Sequence, residues 1–492
     1  MTTAARFAWW LGALLLVVTA AVLAWRGVHA PWVYDEAYNL QVVRNLAAGR
    51  GYASDGLLHG ADGLEPFDFR ISTGPVLLGP TALAVKLLGE GMVVYRLVPV
   101  GAWVSLLVLL ALLGRRVAGR WGALVAPAAV VVLDLGRATH GVSPLVSPGD
   151  VLGEFLATAL VVAAILAART PWVGVLLGLA VMTKTVMFLA VPVVAWALVR
   201  SAGRDNLLAL RRLLILSSGV LAPVLAWQVV RLLALGPELA AERNRQFVQF
   251  FRGAGSGMID RPRVGVVDRI AIESQLWGVV GLAALLAALV PLLLAVRRAR
   301  TSRRGWDATD PVLLLVGCGA VMQAWWLFLA DMNWVRHVIP GAVLLSAGLL
   351  LAAVRAAARS VEGGGPRHAS SLAMLVCASA LVGAAGLRVM APAPPEGSLA
   401  EQADVAAFVH ERGGYSFVVL DQAPELAVHE DVDVRALTRE AGQRLVLIDK
   451  WWALEARELC ATVELRTPSY LVCRTRALTE DELDEWRSAG DE

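Results

Sequence analysis

Residues 7–25, FAWWLGALLLVVTAAVLAW, form an apolar stretch that contains no charged side chain. A helix needs about 20 such residues to cross roughly 30 Å of hydrocarbon, so this stretch predicts a membrane-spanning helix. A cleaved signal peptide has a shorter apolar core, of about 7–15 residues, followed by small residues at a cleavage site. The sequence HAPWVYDEAY that follows shows no such site, and we therefore expect the first helix to be retained.

Similar uncharged stretches recur along the chain, at 276–296, 312–330 and 369–387. Hydrophobic residues make up 57% of the chain and charged residues 17%, against about 45–50% and about 25% in an ordinary soluble domain. This excess of apolar residues indicates a polytopic α-helical membrane protein that lies in a lipid bilayer. A net charge of +3 over 492 residues gives no support for a nucleic-acid partner.

The positions of the arginines predict the topology. Shorter apolar runs lie between the long ones, at 93–113, 121–136, 151–168, 171–183, 185–199, 213–235 and 338–354. With a cytoplasmic N-terminus, every inner loop is basic, as the positive-inside rule requires. For every inner loop to be basic, residues 75–89 must lie along the membrane interface without crossing it. Residues 171–199 must form a hairpin with Lys184 at its outer turn. This assignment of the loops predicts about eleven transmembrane helices and an extracytoplasmic C-terminus.

The chain divides into a membrane domain, residues 1–390, and an extracytoplasmic soluble α/β domain, residues 391–492. The membrane domain includes two long outer segments, 26–92 and 236–274, where we expect function to reside. The C-terminal domain shows a helical pattern followed by the short apolar strands FVVLD, RLVLID and SYLVCR. It also carries Cys460 and Cys473, which can pair if the domain faces an oxidising compartment.

Four acidic residues are candidates for the functional site. Asp35 and Glu36 open a helical stretch just after the first span, and Asp150 and Glu154 lie one turn apart where another span begins. Acids at a helix N-terminus also complement the helix dipole, so a purely structural role is the alternative for each. That alternative is weakest for Glu154, because a carboxylate inside a span is costly and is expected to face a protein-lined or watery cavity.

Basic residues occur at a matching depth on the same predicted face. Lys184 lies in VMTKTVM, Arg336 and His337 lie in NWVRHVIP, and Arg243 and Arg245 lie in the second long outer segment. Arginine binds phosphate through two parallel hydrogen bonds, so this set predicts a binding site for an anion. The alternative for the loop arginines is a solvated or lipid-headgroup-binding surface. The sequence contains no Walker loop, GxGxxG, HExxH or paired CxxC, which argues against ATP-driven transport and a zinc site.

Four of these motifs together resemble the GT-C superfamily of polyprenyl-phosphate-dependent glycosyltransferases, in particular its protein O-mannosyltransferase and aminoarabinose transferase branch. They are YDEAYNLQVVRNLAAGRGY, SPGDVLGEF, GLAVMTKTV and RHVIPGAVLLSAGLLLA, and the resemblance covers residues 1 to about 355. It implies a GT-C-like fold. One segment departs from the family, because the KPP-like sequence before the interfacial helix reads STGPVLLGP, with Ser72 and Thr73 in place of a cation.

The resemblance also implies roles for individual residues. Asp35 would be the catalytic base or orient the acceptor, with Glu36 beside it. The second acid of the family maps onto Asp150, with Glu154 as its rival. The cations that contact the lipid phosphate would be Lys184 and Arg336.

The function that we expect is inverting transfer of a sugar from a polyprenyl-phosphate donor to a glycan, lipid or protein acceptor of the cell envelope. The reaction would take place on the extracytoplasmic side of the plasma membrane. A divalent ion, Mg²⁺ or Mn²⁺, stays open as a cofactor, with Asp35 and Asp150 as its ligands. Two alternatives also stay open, namely a transporter or flippase of lipid-linked sugars and a non-catalytic scaffold or sensor.

Overall fold

The structure is a computed structural model, and it describes most of the membrane domain and part of the C-terminal domain. The described residues are 3–55, 63–71, 73–131, 149–252, 265–274, 276, 308–330, 335–362, 399–411, 417–419, 426, 428–429, 446–450 and 459–482. The predicted spans 276–296 and 369–387 lie almost wholly outside these residues, so the predicted number of about eleven spans stays a prediction.

Helices make up nearly all of the described membrane domain. They are α1 (Thr3–Val28), α2 (Tyr34–Ala47), α3 (Pro75–Leu88), α4 (Met92–Val131), α5 (Glu154–Leu166), α6 (Trp172–Thr183), α7 (Ala190–Ser201), α8 (Asn206–Arg252), α9 (Pro311–Phe328) and α10 (Ile339–Glu362). Short 3₁₀ helices cover Thr185–Leu189 and Val335–His337, and strands β1 (Ala53–Ser54) and β2 (Glu65–Pro66) form a small hairpin.

Among the residues that the structure describes, five helices are long and apolar enough to cross a membrane, which confirms the prediction of a membrane-spanning protein. They are Arg6–Val28, Met92–Val131, Asn206–Gln249, Pro311–Phe328 and Ile339–Ala356. Helix α3 has 14 residues, and at about 1.5 Å per residue it is too short to cross roughly 30 Å of hydrocarbon. Helices α5 and α6 are as short, with 13 and 12 residues, so length alone does not distinguish α3 from them, and the interfacial position of residues 75–89 stays a prediction.

Helix α4 consists of two helical segments that run in opposite directions. Its backbone leaves the helical conformation at Ala118 and Gly119, where Gly119 has φ 65°. A Cβ atom on Gly114 would lie 2.1 Å from the carbonyl oxygen of Gly122, so the two backbones touch. Eight residues of continuous helix would separate them by about 12 Å, so the chain must double back between them. The sequence predicts this reversal between the runs 93–113 and 121–136.

Helices α6 and α8 run in the same direction. Gly174 packs against the carbonyl oxygen of Leu216, and one turn later Gly178 packs against that of Val220. Helix α7 connects them and must therefore run the opposite way. This geometry matches the predicted hairpin, in which Lys184 lies at the turn between α6 and α7.

The ion pairs and hydrogen bonds of several arginines gather at one end of the bundle. Arg116 donates to the carbonyl of Leu166 at 3.5 Å, and Arg169 donates to the hydroxyl of Thr309 at 3.3 Å. Arg355 pairs with the aspartate that caps α9. These arginines come from loops that the sequence predicts to be cytoplasmic. The candidate site residues lie at the opposite end, where α1 ends and α5 begins.

The described part of the C-terminal domain is a helix, α11 (Leu399–His410), and a four-stranded sheet. The strands are β3 (Phe417–Val419), β4 (Val446–Lys450), β5 (Cys460–Arg466) and β6 (Tyr470–Thr475), in the order β3-β4-β6-β5. Strands β3 and β4 pair in parallel, and the other two pairings are antiparallel. Val405 and Val409 of α11 pack on Tyr470 and Val472 of β6.

Cys460 and Cys473 form a disulfide across the antiparallel strands β5 and β6, with their Cα atoms 5.6 Å apart. This bond closes a loop with a sequence separation of 13 residues. A disulfide that closes a loop of this size contributes about 3 kcal/mol, chiefly by restricting the unfolded chain. The pairing that the sequence left open is present in the structure.

We expect replacement of both cysteines, Cys460→Ser with Cys473→Ser, to destabilise the C-terminal domain by about 3 kcal/mol. Limited proteolysis of the full chain across a urea series would show cleavage of this domain at lower urea. Cys318→Ala, which changes the buried free cysteine of the span α9, serves as the control. Labelling of Cys460 and Cys473 by maleimide in the folded chain without reductant would contradict the pairing.

Candidate functional site

The site begins where α2 follows α1 at the predicted outer end of the bundle. Helix α2 packs Leu40 and Val43 against α3, and this packing fixes its rotation. Successive residues of a helix point about 100° apart, so Asp35 and Glu36 face different neighbours. The Glu36 side chain is fully buried, whereas 19% of the Asp35 side chain is exposed.

Glu36 forms a buried ion pair with Arg96 of α4. The Nε and Nη2 atoms of Arg96 donate to the two carboxylate oxygens at 2.8 and 2.7 Å. The Nη1 atom donates to the carbonyls of Val28 and Ala30 at 3.0 and 2.6 Å, and the Trp32 ring lies 4.1 Å from Cζ. Burial raises the pKa of Glu36, while the charge and hydrogen bonds of Arg96 act in the opposite direction.

Asp35 forms an ion pair with Arg336. Arg336 lies in the 3₁₀ helix Val335–His337, immediately before α10, and only 1% of its side chain is exposed. Burial lowers the pKa of Arg336 to about 9, so the guanidinium stays charged at neutral pH. The structure thus brings together a carboxylate from the first outer segment and a cation from the far end of the membrane domain.

A third ion pair joins Glu154 and Lys184, whose Oε1 and Nζ atoms are 3.1 Å apart. Glu154 is the first residue of α5, and Lys184 lies at the turn after α6. Gly153 makes this approach possible, because it has φ 85° and a Cβ atom there would lie 2.9 Å from Thr183 and 3.1 Å from Thr73. Only glycine fits such a left-handed and crowded position.

His337 connects two of these ion pairs. Burial, followed by the charges of Arg336 and Lys184, holds the pKa of His337 well below its ordinary value. The imidazole is therefore neutral at neutral pH. Lys184 and Arg336 are thus both close enough to act electrostatically on His337, and the roles predicted for these three residues stay predictions.

Asp150 lies on the Arg96 side of the site. It is 6% exposed and interacts electrostatically with Arg96. Asp150 and Glu154 line the same small cavity, together with Leu77, Pro99 and Phe155 among other residues. The four candidate acids are thus distributed over three cations, with Asp150 sharing Arg96 with Glu36.

The two loop arginines have other partners. Arg243 is buried and pairs with Glu65 of the first outer segment, so it connects the two outer segments. Arg245 pairs with Glu242 on the same helix, and 71% of its side chain is exposed. Both arginines therefore form ion pairs with carboxylates other than those of the four candidate acids.

Among the described residues, no three His, Cys, Asp or Glu side chains lie together so as to hold a metal ion. Asp35, which was one of the two proposed metal ligands, is already paired with Arg336. A divalent ion held by Asp35 and Asp150 therefore stays a prediction.

Sequence reasoning missed Arg96 and the Trp32 ring that stacks on it. The signal was present, because Arg96 is a charged residue inside the apolar run 93–113, where charges are rare and usually paired. Thr73, which stands where the family carries a cation, donates its hydroxyl to the carbonyl of Leu152 at 2.8 Å. Ser72 lies outside the described residues.

No protein-family model matches this chain, and no curated protein matches it either. Its fold is similar to that of ArnT from Cupriavidus metallidurans. The apo crystal structure of ArnT has a TM-score of 0.59 and 14% sequence identity, over 94% of this chain and 97% of that chain. The structure of ArnT bound to undecaprenyl phosphate has a TM-score of 0.57 and 12% identity over the same shares. The similarity confirms that the chain has an ArnT-like fold.

We expect Lys184→Met to destabilise the protein by about 3–5 kcal/mol, because it leaves Glu154 buried without a counter-charge. The double variant Lys184→Met with Glu154→Gln removes both charges and should recover most of this loss. Thermal unfolding in detergent measures both effects. Equal unfolding temperatures for the single variant and the unaltered chain would contradict the buried pair.

Proposed function

We propose that this chain is an integral membrane glycosyltransferase that moves a sugar from a polyprenyl-phosphate donor to an acceptor of the cell envelope. The observation that carries this proposal is the cluster of Asp35, Arg336, His337, Lys184 and Glu154 at one end of a GT-C-like bundle. The fold supports it as well, because one of the similar ArnT structures has undecaprenyl phosphate bound.

Arg336 and Lys184 are suited to the phosphate of the donor. Both are buried cations, and a buried cation interacts with an anion far more strongly than one in water. A phosphate is already a good leaving group, so the reaction needs cations that stabilise the departing charge rather than an acid that protonates it. In this proposal Arg243 and Arg245 act on the same phosphate from the second outer segment, more weakly for Arg245 because water screens its exposed charge.

Asp35 is suited to act as the base. Its side chain is 19% exposed, whereas the side chains of Glu36 and Glu154 are 0% and 2% exposed, so an acceptor reaches Asp35 most easily. The acceptor hydroxyl attacks the anomeric carbon and transfers its proton to Asp35. The bond from that carbon to the phosphate oxygen breaks, and its electron pair leaves with the phosphate. Attack from the face opposite the phosphate inverts the configuration.

The ion pair with Arg336 gives the reaction an order. While Asp35 is paired with Arg336, its carboxylate is held by the guanidinium and is not available to an acceptor hydroxyl. A phosphate that binds Arg336 competes for the guanidinium and frees the carboxylate. In this proposal the donor therefore binds first, and Asp35 becomes an effective base only when a donor is present.

The remaining acids hold the site together. Glu36 has both oxygens bound by Arg96, so in this proposal it fixes α2 rather than moving a proton. Asp150 and Glu154 line the neighbouring cavity and would orient the acceptor or the sugar.

We also propose that the site and the C-terminal domain face the extracytoplasmic side of the plasma membrane. The disulfide Cys460–Cys473 supports this side, because disulfides persist in oxidising compartments. Arg116, Arg169 and Arg355 support it too, since they gather at the opposite end of the bundle and arginine is retained in cytoplasmic loops.

Asp35→Asn should reduce transfer of the lipid-linked sugar by about 10²–10⁴-fold, because a neutral amide cannot accept the proton. Membranes that contain the variant would be supplied with radiolabelled polyprenyl-phosphate sugar, and transfer to acceptor would be counted. Asp55→Asn is the matched control, since Asp55 lies in the same outer segment and, among the described residues, bonds to Gln41 and Asn45. Near-normal transfer by Asp35→Asn would contradict its role as base. Movement of intact donor across vesicles without transfer would favour a flippase.

The charge-neutral double variant Lys184→Met with Glu154→Gln should bind undecaprenyl phosphate about 10–100-fold more weakly than the unaltered chain. Loss of one hydrogen bond from a charged group costs about 1.5–3 kcal/mol, which corresponds to this range. Quenching of tryptophan fluorescence during titration with the lipid measures the affinity. Arg50→Gln, a change at an exposed outer arginine, is the control. Unchanged affinity in a well-folded double variant would remove Lys184 from the donor site.

A further inference from the structure

We infer that the C-terminal domain positions the catalytic carboxylate Asp35, and that Gln402 is the residue through which it does so. This inference rests on the proposed function and extends it to the domain whose role neither the sequence nor the comparisons explain. The structural basis is a continuous series of buried contacts from Gln402 to Trp32, Arg96 and Glu36, the residue next to Asp35.

Gln402 of α11 binds both backbone groups of Trp32. Its Oε1 accepts from the Trp32 N–H at 3.0 Å, and its Nε2 donates to the Trp32 carbonyl at 2.9 Å. The side chain is 2% exposed, and Nε2 also contacts the hydroxyl of Tyr470 at 3.4 Å. A carboxamide supplies the donor and the acceptor that this pairing needs, as a neighbouring strand would. The single side chain therefore binds both the N–H and the carbonyl of Trp32.

Trp32 transmits this constraint to the ion pair beneath it. It lies in the short connector between α1 and α2, and it is 4% exposed. Its ring lies 4.1 Å from the Cζ atom of Arg96, within range of a cation–π interaction. Arg96 in turn grips Glu36 with two hydrogen bonds. Displacement of Trp32 would therefore shift the guanidinium that fixes the first turn of α2.

A second contact holds the opposite end of α2. In the last turn of this helix, Arg44 donates through Nη2 to the carbonyl of Val428 at 2.9 Å. Val428 and Leu399 of the C-terminal domain also pack against the apolar cluster that α2 shares with α3. The C-terminal domain thus contacts the chain just before α2 and again at its last turn. Since α2 has 14 residues and a helix of that length is marginal by itself in water, these contacts fix its axis.

Gln402 does not contact Asp35, so we assign it a positioning role. A displacement of about 1 Å at a reacting group can cost about a hundredfold in rate. The donor phosphate, by contrast, is assigned to Lys184 and Arg336, which belong to other elements. A loosened α2 should therefore lower kcat while Lys184 and Arg336 still bind the donor, whose affinity changes only slightly through weaker competition from Asp35 for Arg336. If the domain served only to recognise the acceptor, its variants would raise the acceptor KM and leave kcat unchanged.

The test compares Gln402→Met with the unaltered chain. Methionine has a similar volume and shape but makes neither hydrogen bond to Trp32. We expect kcat to fall by about tenfold to a hundredfold, with a donor affinity within about twofold. Gln402→Glu keeps the acceptor for the Trp32 N–H and loses the donor to its carbonyl, so kcat should fall by at least as much, since the carboxylate also repels that carbonyl. Asp404→Asn, at an exposed position of the same helix, should behave like the unaltered chain.

A second measurement does not depend on activity. Hydrogen–deuterium exchange of the α2 amides should be faster in Gln402→Met, while exchange in α5 and α9 stays unchanged. Combining Gln402→Met with Trp32→Leu should lower kcat no further than Trp32→Leu alone, because both changes break the same series of contacts.

The outcomes separate the two proposals. Transfer by the unaltered chain with an unchanged kcat in both Gln402 variants would overturn the positioning role and leave the proposed function standing. An altered acceptor KM with unchanged kcat and unchanged α2 exchange would overturn it in favour of acceptor recognition. Complete absence of transfer by the unaltered, folded chain with its donor would overturn the proposed function and, with it, this inference.

Discussion

Glu36 and Arg96 form an ion pair with no exposed surface on either side chain, and the arrangement of the outer end depends on it. Removing two such charges from water costs several kcal/mol per ion, and only good geometry with further hydrogen bonds offsets this cost. Here two bonds to the carboxylate, bonds to the carbonyls of Val28 and Ala30, and the ring of Trp32 supply that geometry. The pair joins α2 and the end of α1 to α4. The position of Asp35, one residue away, follows from it.

The same principle explains why a site suited to a phosphate contains so many acids. A buried cation without a partner would be unstable before the donor arrives, so Arg336 is held by Asp35 and Lys184 by Glu154. The neutral His337, on which both cations act, adds no further positive charge. In the proposed function, an arriving phosphate would find cations that are already desolvated and oriented, and it would need only to compete with their carboxylates. Preorganisation of this kind is the usual source of electrostatic catalysis.

Close packing at small residues brings the charged groups within reach of one another. A Cβ atom on Gly74 would overlap the carbonyl of Met182, so the start of α3 lies directly on the end of α6. Gly153 allows a similar approach beside Thr183. Small residues commonly permit such contacts between membrane helices, since no hydrophobic force drives helices together within lipid. Helix α11 of the C-terminal domain makes two kinds of contact. One face packs on the sheet, and Gln402 binds Trp32 of the membrane domain.

Much of this protein was determined by local properties of the sequence. The length of uncharged stretches such as 7–25 identifies spans, because burying charge in lipid is costly wherever it occurs. The arginine pattern predicts the hairpin at Lys184, and the acids at 35–36 and 150–154 predict the end of the bundle at which the site lies. The C-terminal strands were predicted from short apolar runs, and SYLVCR overlaps β6. These features need only a few neighbouring residues to be recognised.

Only the tertiary structure decided which charges meet. Glu36 and Arg96 are 60 residues apart in sequence, and Gln402 and Trp32 are 370 apart, so no local pattern connects them. The sequence predicted several cations at a similar depth for each acid. Which cation pairs with which acid depends on how each helix is rotated and on the close contacts that glycines permit. Helix rotation also explains why the side chain of Asp35 is partly exposed and that of Glu36 is buried. Adjacent residues of one helix point about 100° apart, and the packing of α2 decides which of them faces the protein interior.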